Sequence, residues 1–163
     1  GFWGLVIHMN CENFYPAIYA RIIQPSTSNQ QKNGFTFASY TRRLKMNSPI
    51  LFSTAAYSFL RDELLAKKAY RPGEIQSKAF PDGEFYHRIL TDVDKQECIL
   101  IGGTIDDNNT LELYDLAQGL VHQGASSLSI VIPYFGYSTM ERAVKSGEIV
   151  KAKNRALIFS SIR

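Results

Sequence analysis

Residues 80–84, FPDGE, combine an aromatic ring and two carboxylates around a turn. Pro81 fixes its own φ and Gly83 accepts a positive φ, so Asp-Gly after proline predicts a tight turn. A turn alone does not require Phe80 or the carboxylates of Asp82 and Glu84. A nucleotide site could use a stacking ring and acceptors for ribose hydroxyls or an amine. The alternative is that FPDGE is only a hairpin turn.

A second stretch, residues 131–146 (VIPYFGYSTMERAVKS), carries aromatic and charged side chains beyond an apolar run. The run 129–132 ends at Pro133, which predicts a buried strand of an α/β sheet. Ligands of open α/β sheets bind outside the carboxyl ends of the strands, so residues 134–145 are expected near a ligand. The alternative is that the rings of Tyr134, Phe135 and Tyr137 only cover a sheet edge.

The elements that would position these stretches alternate along the chain. Apolar runs at 50–52, 98–101 and 129–132 predict strands, and helices are expected to begin near Ala55, Thr110 and Gly147. Residues 75–79 and 85–90 flank FPDGE and predict an antiparallel pair. The expected fold class is α/β, a mostly parallel sheet with helices on both faces and a hairpin that carries FPDGE.

Local signals refine the second helix. Asn109 and Glu112 have the spacing of a capping box, and Gly124 suits the position just beyond the helix end. Gly102 and Gly103 precede this helix, and a glycine pair there could cradle a phosphate group.

Composition indicates one globular domain with an extension. The chain has 163 residues, 45% of them hydrophobic, and a formal charge of +3 with scattered basic residues, which gives no reason to expect nucleic acid or a membrane as partner. Cys11 and Cys98 predict free thiols of a reducing compartment, and the start of the chain lacks the pattern of a signal peptide. We therefore expect a cytoplasmic protein. The histidines have no metal-ligand spacing, so no metal site is expected in this chain.

Residues 1–46 predict an amino-terminal extension of unknown role, and residues 47–163 the main domain. The polar stretch 24–33 has the composition of a linker. Residues 14–23 fit either a helix or a strand pair, and residues 35–40 fit a short strand.

Three motifs together carry a family resemblance: FPDGE, Asn108-Asn109-x-x-Glu112-Leu113 and IPYFGY. Their order and spacing resemble the amino-terminal half of ribose-phosphate diphosphokinases, also called phosphoribosyl pyrophosphate synthetases, over about residues 48–163. The resemblance implies a phosphoribosyltransferase-like fold and a homo-oligomer with ATP sites built across subunits. It also implies ATP, Mg²⁺ and ribose 5-phosphate as ligands, with transfer of the β,γ-diphosphoryl group to the anomeric hydroxyl.

The resemblance assigns Phe80, Asp82 and Glu84 to ATP. In the best-known class of the family the loop after IPYFGY-like motifs reads YARQDRK, whereas this chain has Thr139 and Met140 at the arginine and glutamine. The run TMER resembles the second, plant-type class, in which Arg142 would be the cation available to phosphates. The alternative for Arg142 is a surface ion pair with its neighbour Glu141.

The family's DLH histidine, flexible-loop lysine and arginine, and ribose-phosphate loop lie downstream of the matched segment. We therefore expect no catalytic or metal-binding residue in this chain, and no activity from it alone. The alternative is a non-catalytic paralogue that regulates or assembles with active subunits.

Overall fold

The computed structural model describes residues 4–11, 19–23 and 48–163. Six strands form one sheet in the order β2-β1-β8-β7-β3-β4. These strands are β1 (Gly4–Asn10), β2 (Tyr19–Ile23), β3 (Ile50–Ser53), β4 (Arg71–Pro72), β7 (Glu97–Ile101) and β8 (Ser127–Ile132). A separate hairpin pairs β5 (Ile75–Ala79) with β6 (Phe85–Ile89). The helices are α1 (Ser58–Ala66), α2 (Asp107–His122) and α3 (Lys151–Ser160), and a 3-10 turn, Ala55–Tyr57, precedes α1.

The sheet is mostly parallel, as predicted. Strand β3 pairs in parallel with β4 and with β7, and β7 pairs in parallel with β8. Strand β1 runs antiparallel to both β8 and β2. The carboxyl ends of β3, β7 and β8 therefore lie at one edge of the sheet.

Both faces of the sheet are covered by helices, which confirms the predicted layers. Successive strand side chains point to opposite faces, so each strand supplies two sets of apolar residues. On one face, α2 and α3 pack against the larger core, whose members include Phe52, Leu100, Leu113, Leu120, Ile130 and Phe159. On the other face, α1 packs against a smaller core, whose members include Leu51, Tyr57, Ile99 and Ile101.

The hairpin projects from this body and carries FPDGE at its tip. Ile75 and Ile89 at its root pack against the larger core. At the tip, the Phe80 N–H donates to the Glu84 carbonyl at 2.8 Å, and Gly83 has a φ of +92°. The predicted antiparallel pair and its turn are both confirmed.

The first turn of α2 differs from the expected capping box. The N-cap is Asp106, whose carboxylate accepts the Asn109 N–H at 2.8 Å. Glu112 instead accepts the N–H of Ala55, 57 residues away, at 3.0 Å. The capping-box prediction was wrong because the N-cap residue is Asp106 and not Asn109. The Glu112 side chain therefore takes no part in capping and makes a tertiary contact instead. Gly124, with a φ of +89°, does follow the helix end as predicted.

The third helix begins at Lys151, later than the predicted start near Gly147. Gly147 has a φ of +86°, which is incompatible with a right-handed helix. The Glu148 carboxylate accepts the N–H groups of Val144 and Lys145 at 2.7 and 3.1 Å and closes a separate turn. That turn occupies the residues expected to start the helix.

Strand β1 belongs to the same sheet as the main domain although it lies within residues 1–46. Leu5, Ile7 and Met9 are buried in the larger core. Within 14–23, residues 19–23 are a strand, and residues 12–18 and 35–40 lie outside the described residues. In the described part of the chain, no helix is long and apolar enough to cross a membrane.

Candidate functional site

The loop after β8 is attached to the segment after β7 at the carboxyl edge of the sheet. Thr104 donates its N–H to the Tyr134 carbonyl at 3.0 Å, and its hydroxyl accepts the Gly136 N–H at 2.6 Å. A Cβ at Gly136 would lie 2.0 Å from the Thr104 carbonyl oxygen, so only glycine permits this approach. Both segments thus begin from fixed positions at the edge where ligands of α/β sheets bind.

Tyr137 connects this loop to α3. Its backbone has a φ of +62°, uncommon for a residue with a bulky side chain. The Lys151 Nζ lies 4.8 Å from the centre of its ring, and the Arg155 Cζ lies 5.3 Å away, both within cation–π range. Arg155 also pairs with the Asp107 carboxylate in the first turn of α2. Sequence reasoning missed both cations because they lie in α3, beyond any motif containing Tyr137.

The rings of the loop have different surroundings, so the edge-covering alternative holds for only part of them. Phe135 is half-buried and packs against the larger core. Tyr134 is 38% exposed, and Tyr137 is half-buried between its two cations.

Residues 139–142 are exposed beyond Tyr137. The Met140 N–H donates to the Tyr137 carbonyl at 2.8 Å, and the Met140 carbonyl accepts the Ala152 N–H at 3.4 Å. No ion pair joins Arg142 to Glu141 or to another residue within the described ranges, so the alternative of a surface ion pair with Glu141 is not observed. The Arg142 guanidinium faces solvent.

The hairpin tip presents a ring and two carboxylates to solvent. Phe80 is 39% exposed, and the Lys78 Nζ lies 5.0 Å from its ring centre. Asp82 and Glu84 are exposed, and Asp82 Oδ1 accepts the Glu84 N–H at 3.2 Å. The solvent-exposed tip was predicted from the sequence.

The structure does not bring these two groups together. Among the described residues, no hydrogen bond, ion pair or ring contact joins 80–84 to 133–150. Within the described residues, Phe80, Asp82 and Glu84 therefore make no contact with Arg142.

Gly102 and Gly103 have a packing role that accounts for both glycines. A Cβ at Gly102 would lie 2.6 Å from Leu113 Cδ1, and one at Gly103 would lie 2.5 Å from the Tyr57 hydroxyl. Close packing against α2 and Tyr57 therefore requires the pair, and a phosphate cradle is not needed to explain it.

Shifted pKa values occur at two thiols and in the turn before α3. Burial raises the pKa of Cys98 to about 12, and burial also raises the pKa of Cys11. Hydrogen bonds from the Lys145 and Val144 backbone lower the pKa of Glu148. Within the described residues, no group of three His, Cys, Asp or Glu side chains could hold a metal ion.

A mostly parallel sheet with helices on both faces, and loops gathered at its carboxyl edge, defines an open α/β fold of the kind expected for the phosphoribosyltransferase-like class. A solved structure, described as phosphoribosylpyrophosphate synthetase from Mycobacterium smegmatis, superposes with a TM-score of 0.66 at 15% identity. The superposition covers 71% of this chain and 40% of that one. It supports the fold assignment.

The family itself follows from sequence. A profile described as the N-terminal domain of ribose phosphate pyrophosphokinase matches residues 49–162, and the chain belongs to this family. The match confirms the predicted resemblance.

Curated relatives carry the same family name. A ribose-phosphate pyrophosphokinase of Saccharolobus solfataricus is 33% identical over 62% of this chain and 36% of its own length. Another, of Thermococcus kodakarensis, is 39% identical over 52% of this chain and 31% of its own length. The matches thus span about a third of these relatives' length. These names do not favour the alternative of a non-catalytic paralogue.

Proposed function

We propose that this chain is the nucleotide-binding and assembly domain of a ribose-phosphate diphosphokinase, which converts ATP and ribose 5-phosphate to phosphoribosyl pyrophosphate and AMP. Family membership supplies the reaction class. The observation that carries the nucleotide role is the exposed tip of the hairpin, where Phe80, Asp82 and Glu84 face solvent together.

Each of these side chains suits one part of a nucleoside triphosphate. The exposed Phe80 ring can stack on a base, and the carboxylates of Asp82 and Glu84 can accept hydrogen bonds from ribose hydroxyls or an exocyclic amine. Arg142 forms no ion pair among the described residues, and its guanidinium can pair with phosphate oxygens.

The proposed ATP site is shared between subunits of a homo-oligomer. Phe80 and its carboxylates are exposed and make no contact with Arg142 among the described residues. A neighbouring copy can supply the second group of contacts, so that each site uses the hairpin tip of one chain and Arg142 of another.

The proposed reaction is in-line attack by the ribose 1-hydroxyl on the β-phosphorus of ATP. Mg²⁺, when bound, would supply positive charge that offsets the negative charge of the phosphates. The resemblance puts the family's metal-binding histidine downstream of the matched segment, so we assign the protein's metal contacts to the carboxyl-terminal half of the enzyme. The part of this chain is to orient the nucleotide, and positioning supplies much of the catalysis of phosphoryl transfer.

We extend the proposal to the organisation of the protein. Residues 47–163 form the family domain and residues 1–46 an extension of unknown role, in a cytoplasmic protein with free thiols. The chain alone, without the carboxyl-terminal half, does not release AMP from ATP and ribose 5-phosphate. Detectable AMP release by the pure chain would refute that part.

The nucleotide role is tested by measuring ATP affinity calorimetrically for the parent chain, Phe80→Ala and Tyr86→Ala. Tyr86 is the matched control, because it is an aromatic residue on the same hairpin and is 42% exposed. Loss of a base-stacking ring typically costs about 1–3 kcal/mol, so Phe80→Ala should weaken ATP about 5- to 150-fold while Tyr86→Ala binds like the parent. Equal affinity in all three proteins, or no binding by the parent, would overturn the assignment.

A further inference from the structure

The hairpin that carries FPDGE is only partly packed against the body of the domain. Its two strands pair with each other and with no strand of the six-stranded sheet in the described structure. Ile75 and Ile89 pack at its root, but a cavity of about 180 Å³ lies beside Ile75. Ser53, Ser58, Ser77 and Glu112 are among the residues that line this cavity. Apolar packing therefore does not fix the hairpin along its whole inner face.

The Glu112 side chain, on α2, lines this cavity and lies close to both the segment after β3 and the hairpin. Its Oε1 accepts the Ala55 N–H at 3.0 Å, which holds the carboxylate against the segment that follows β3. The same oxygen lies 3.9 Å from Nε2 of His87 on β6. The Glu112 and His87 side chains are only 18% and 15% exposed, so their interaction is weakly screened by solvent.

His87 in turn contacts Phe85, which lies closer to the tip of the hairpin. The rings of Phe85 and His87 are stacked, with centroids 6.3 Å apart and an interplanar angle of 10°. Phe85 is paired with Ala79, the residue immediately before Phe80. The path from α2 to the FPDGE turn thus runs through Glu112, His87 and Phe85.

We propose that Glu112 and His87 are positioning residues that set the orientation of the hairpin, and with it Phe80, Asp82 and Glu84, relative to the sheet. The effect of Glu112 and His87 on ligand binding rests on the proposed nucleotide function. The pairing itself does not depend on that function, because it is a contact within the folded chain. Glu112 belongs to the Asn108-Asn109-x-x-Glu112 motif, so this contact also links two motifs that are separate in sequence.

The structural part of the proposal is tested with Glu112→Gln, His87→Gln and the double variant, by amide hydrogen exchange. Glutamine at 112 keeps an oxygen for the Ala55 N–H and removes the charge that faces His87. We expect protection of the β5 and β6 amides to fall about five- to tenfold in each single variant, with no further loss in the double variant. Protection of β7 and β8 should stay at the parent level.

Asp115→Asn is the matched control, because Asp115 is an exposed carboxylate on the same helix. The ¹⁵N chemical shift of the His87 imidazole should move in Glu112→Gln and stay at the parent value in Asp115→Asn. Parent-level hairpin protection in both single variants, additive losses in the double variant, or an unmoved imidazole signal in Glu112→Gln would overturn the pairing.

The functional consequence needs a separate measurement. Glu112→Gln should weaken ATP about three- to tenfold relative to Asp115→Asn, without loss of protection in β7 and β8. An ATP affinity equal to that of the control, with a mobile hairpin, would overturn the positioning role. Absence of ATP binding by the parent would contradict the proposed function, while the exchange and imidazole data would still decide the Glu112–His87 contact.

Discussion

The hydroxyl of Thr104 accepts the backbone N–H of Gly136 at 2.6 Å, and this hydrogen bond joins the segment after β7 to the loop after β8. Thr104 is 1% exposed, so the bond is protected from water. The loop leaves the sheet edge at Gly136, so the Thr104–Gly136 hydrogen bond sets the position from which Tyr137 and residues 139–142 extend.

Gly136→Ala should destabilise the fold. The new Cβ would lie 2.0 Å from the Thr104 carbonyl oxygen, which is backbone and cannot rotate away. Overpacking of this kind typically costs about 1–3 kcal/mol, measurable as a lower urea midpoint at an unchanged slope.

Gly147→Ala is the comparison for that variant. Gly147 has a φ of +86°, and a Cβ added there would meet nothing within 4 Å, so its substitution introduces backbone strain without overlap. Its cost should be about 1 kcal/mol. A Gly136→Ala protein as stable as Gly147→Ala would show that the two loop segments separate easily.

Local signals in the sequence were sufficient for the strands β3, β7 and β8 and for the hairpin, but not for β1, β2 and β4. The run 98–101 is apolar throughout because β7 is covered on both faces, and FPDGE contains its own turn chemistry, with Gly83 at a φ of +92°. The helix starts were less predictable. Glu112 has the spacing of a capping residue, yet it bonds to Ala55, a partner that only the folded chain brings close.

The sequence likewise predicted only part of the candidate site. Exposure of Phe80 and its carboxylates followed from their place in a turn. The cations around Tyr137 and the Glu112–His87 contact could not be predicted, because each joins elements that are distant in sequence. No local pattern reports such tertiary contacts.

Asp106→Ala should lower the thermal midpoint in a pH-dependent way. Hydrogen bonds from Asn109 lower the pKa of Asp106 below its ordinary value of 3.8, so the ionised carboxylate stabilises the start of α2 above that value. As pH falls through the lowered pKa, protonation removes this stabilisation. The midpoints of parent and variant should differ near neutral pH and converge as the pH falls through the lowered pKa of Asp106. Asp106→Asn, which keeps a capping oxygen, should lie closer to the parent near neutral pH; a pH-independent gap for Asp106→Ala would contradict the capping role.

Thr139 and Met140 should make the nucleotide donor less specific. Neither offers the charged, planar donor of arginine, and one hydrogen bond to a charged group is worth about 1.5–3 kcal/mol. We expect ATP, GTP, CTP and UTP to bind the parent within about tenfold of each other, as the resemblance to the plant-type class also suggests. Thr139→Arg with Met140→Gln should favour ATP. A parent that prefers ATP about a thousandfold would place specificity elsewhere, most directly at Phe80, Asp82 and Glu84.

The chain should associate at least to a dimer. The proposed ATP site needs both the hairpin tip and Arg142, which make no contact among the described residues of one chain. Exposed apolar side chains such as Phe59 and Phe85, both 62% exposed, are also available for contact with a second chain. The sequence also predicts association from aromatic residues of the extension, which lie outside the described ranges: Phe2, Trp3, Phe14, Tyr15, Phe35, Phe37 and Tyr40. Light scattering at tens of micromolar protein is the measurement, and a strictly monomeric mass would count against a shared site.

The central claim is that the hairpin tip and the loop after β8 bind the nucleotide, and an ATP titration of the ¹⁵N-labelled chain tests it most directly. The account predicts that amide signals of residues 80–84 and 139–142 shift together, with one common dissociation constant. Shifts confined to other surfaces, or none at millimolar ATP, would contradict it.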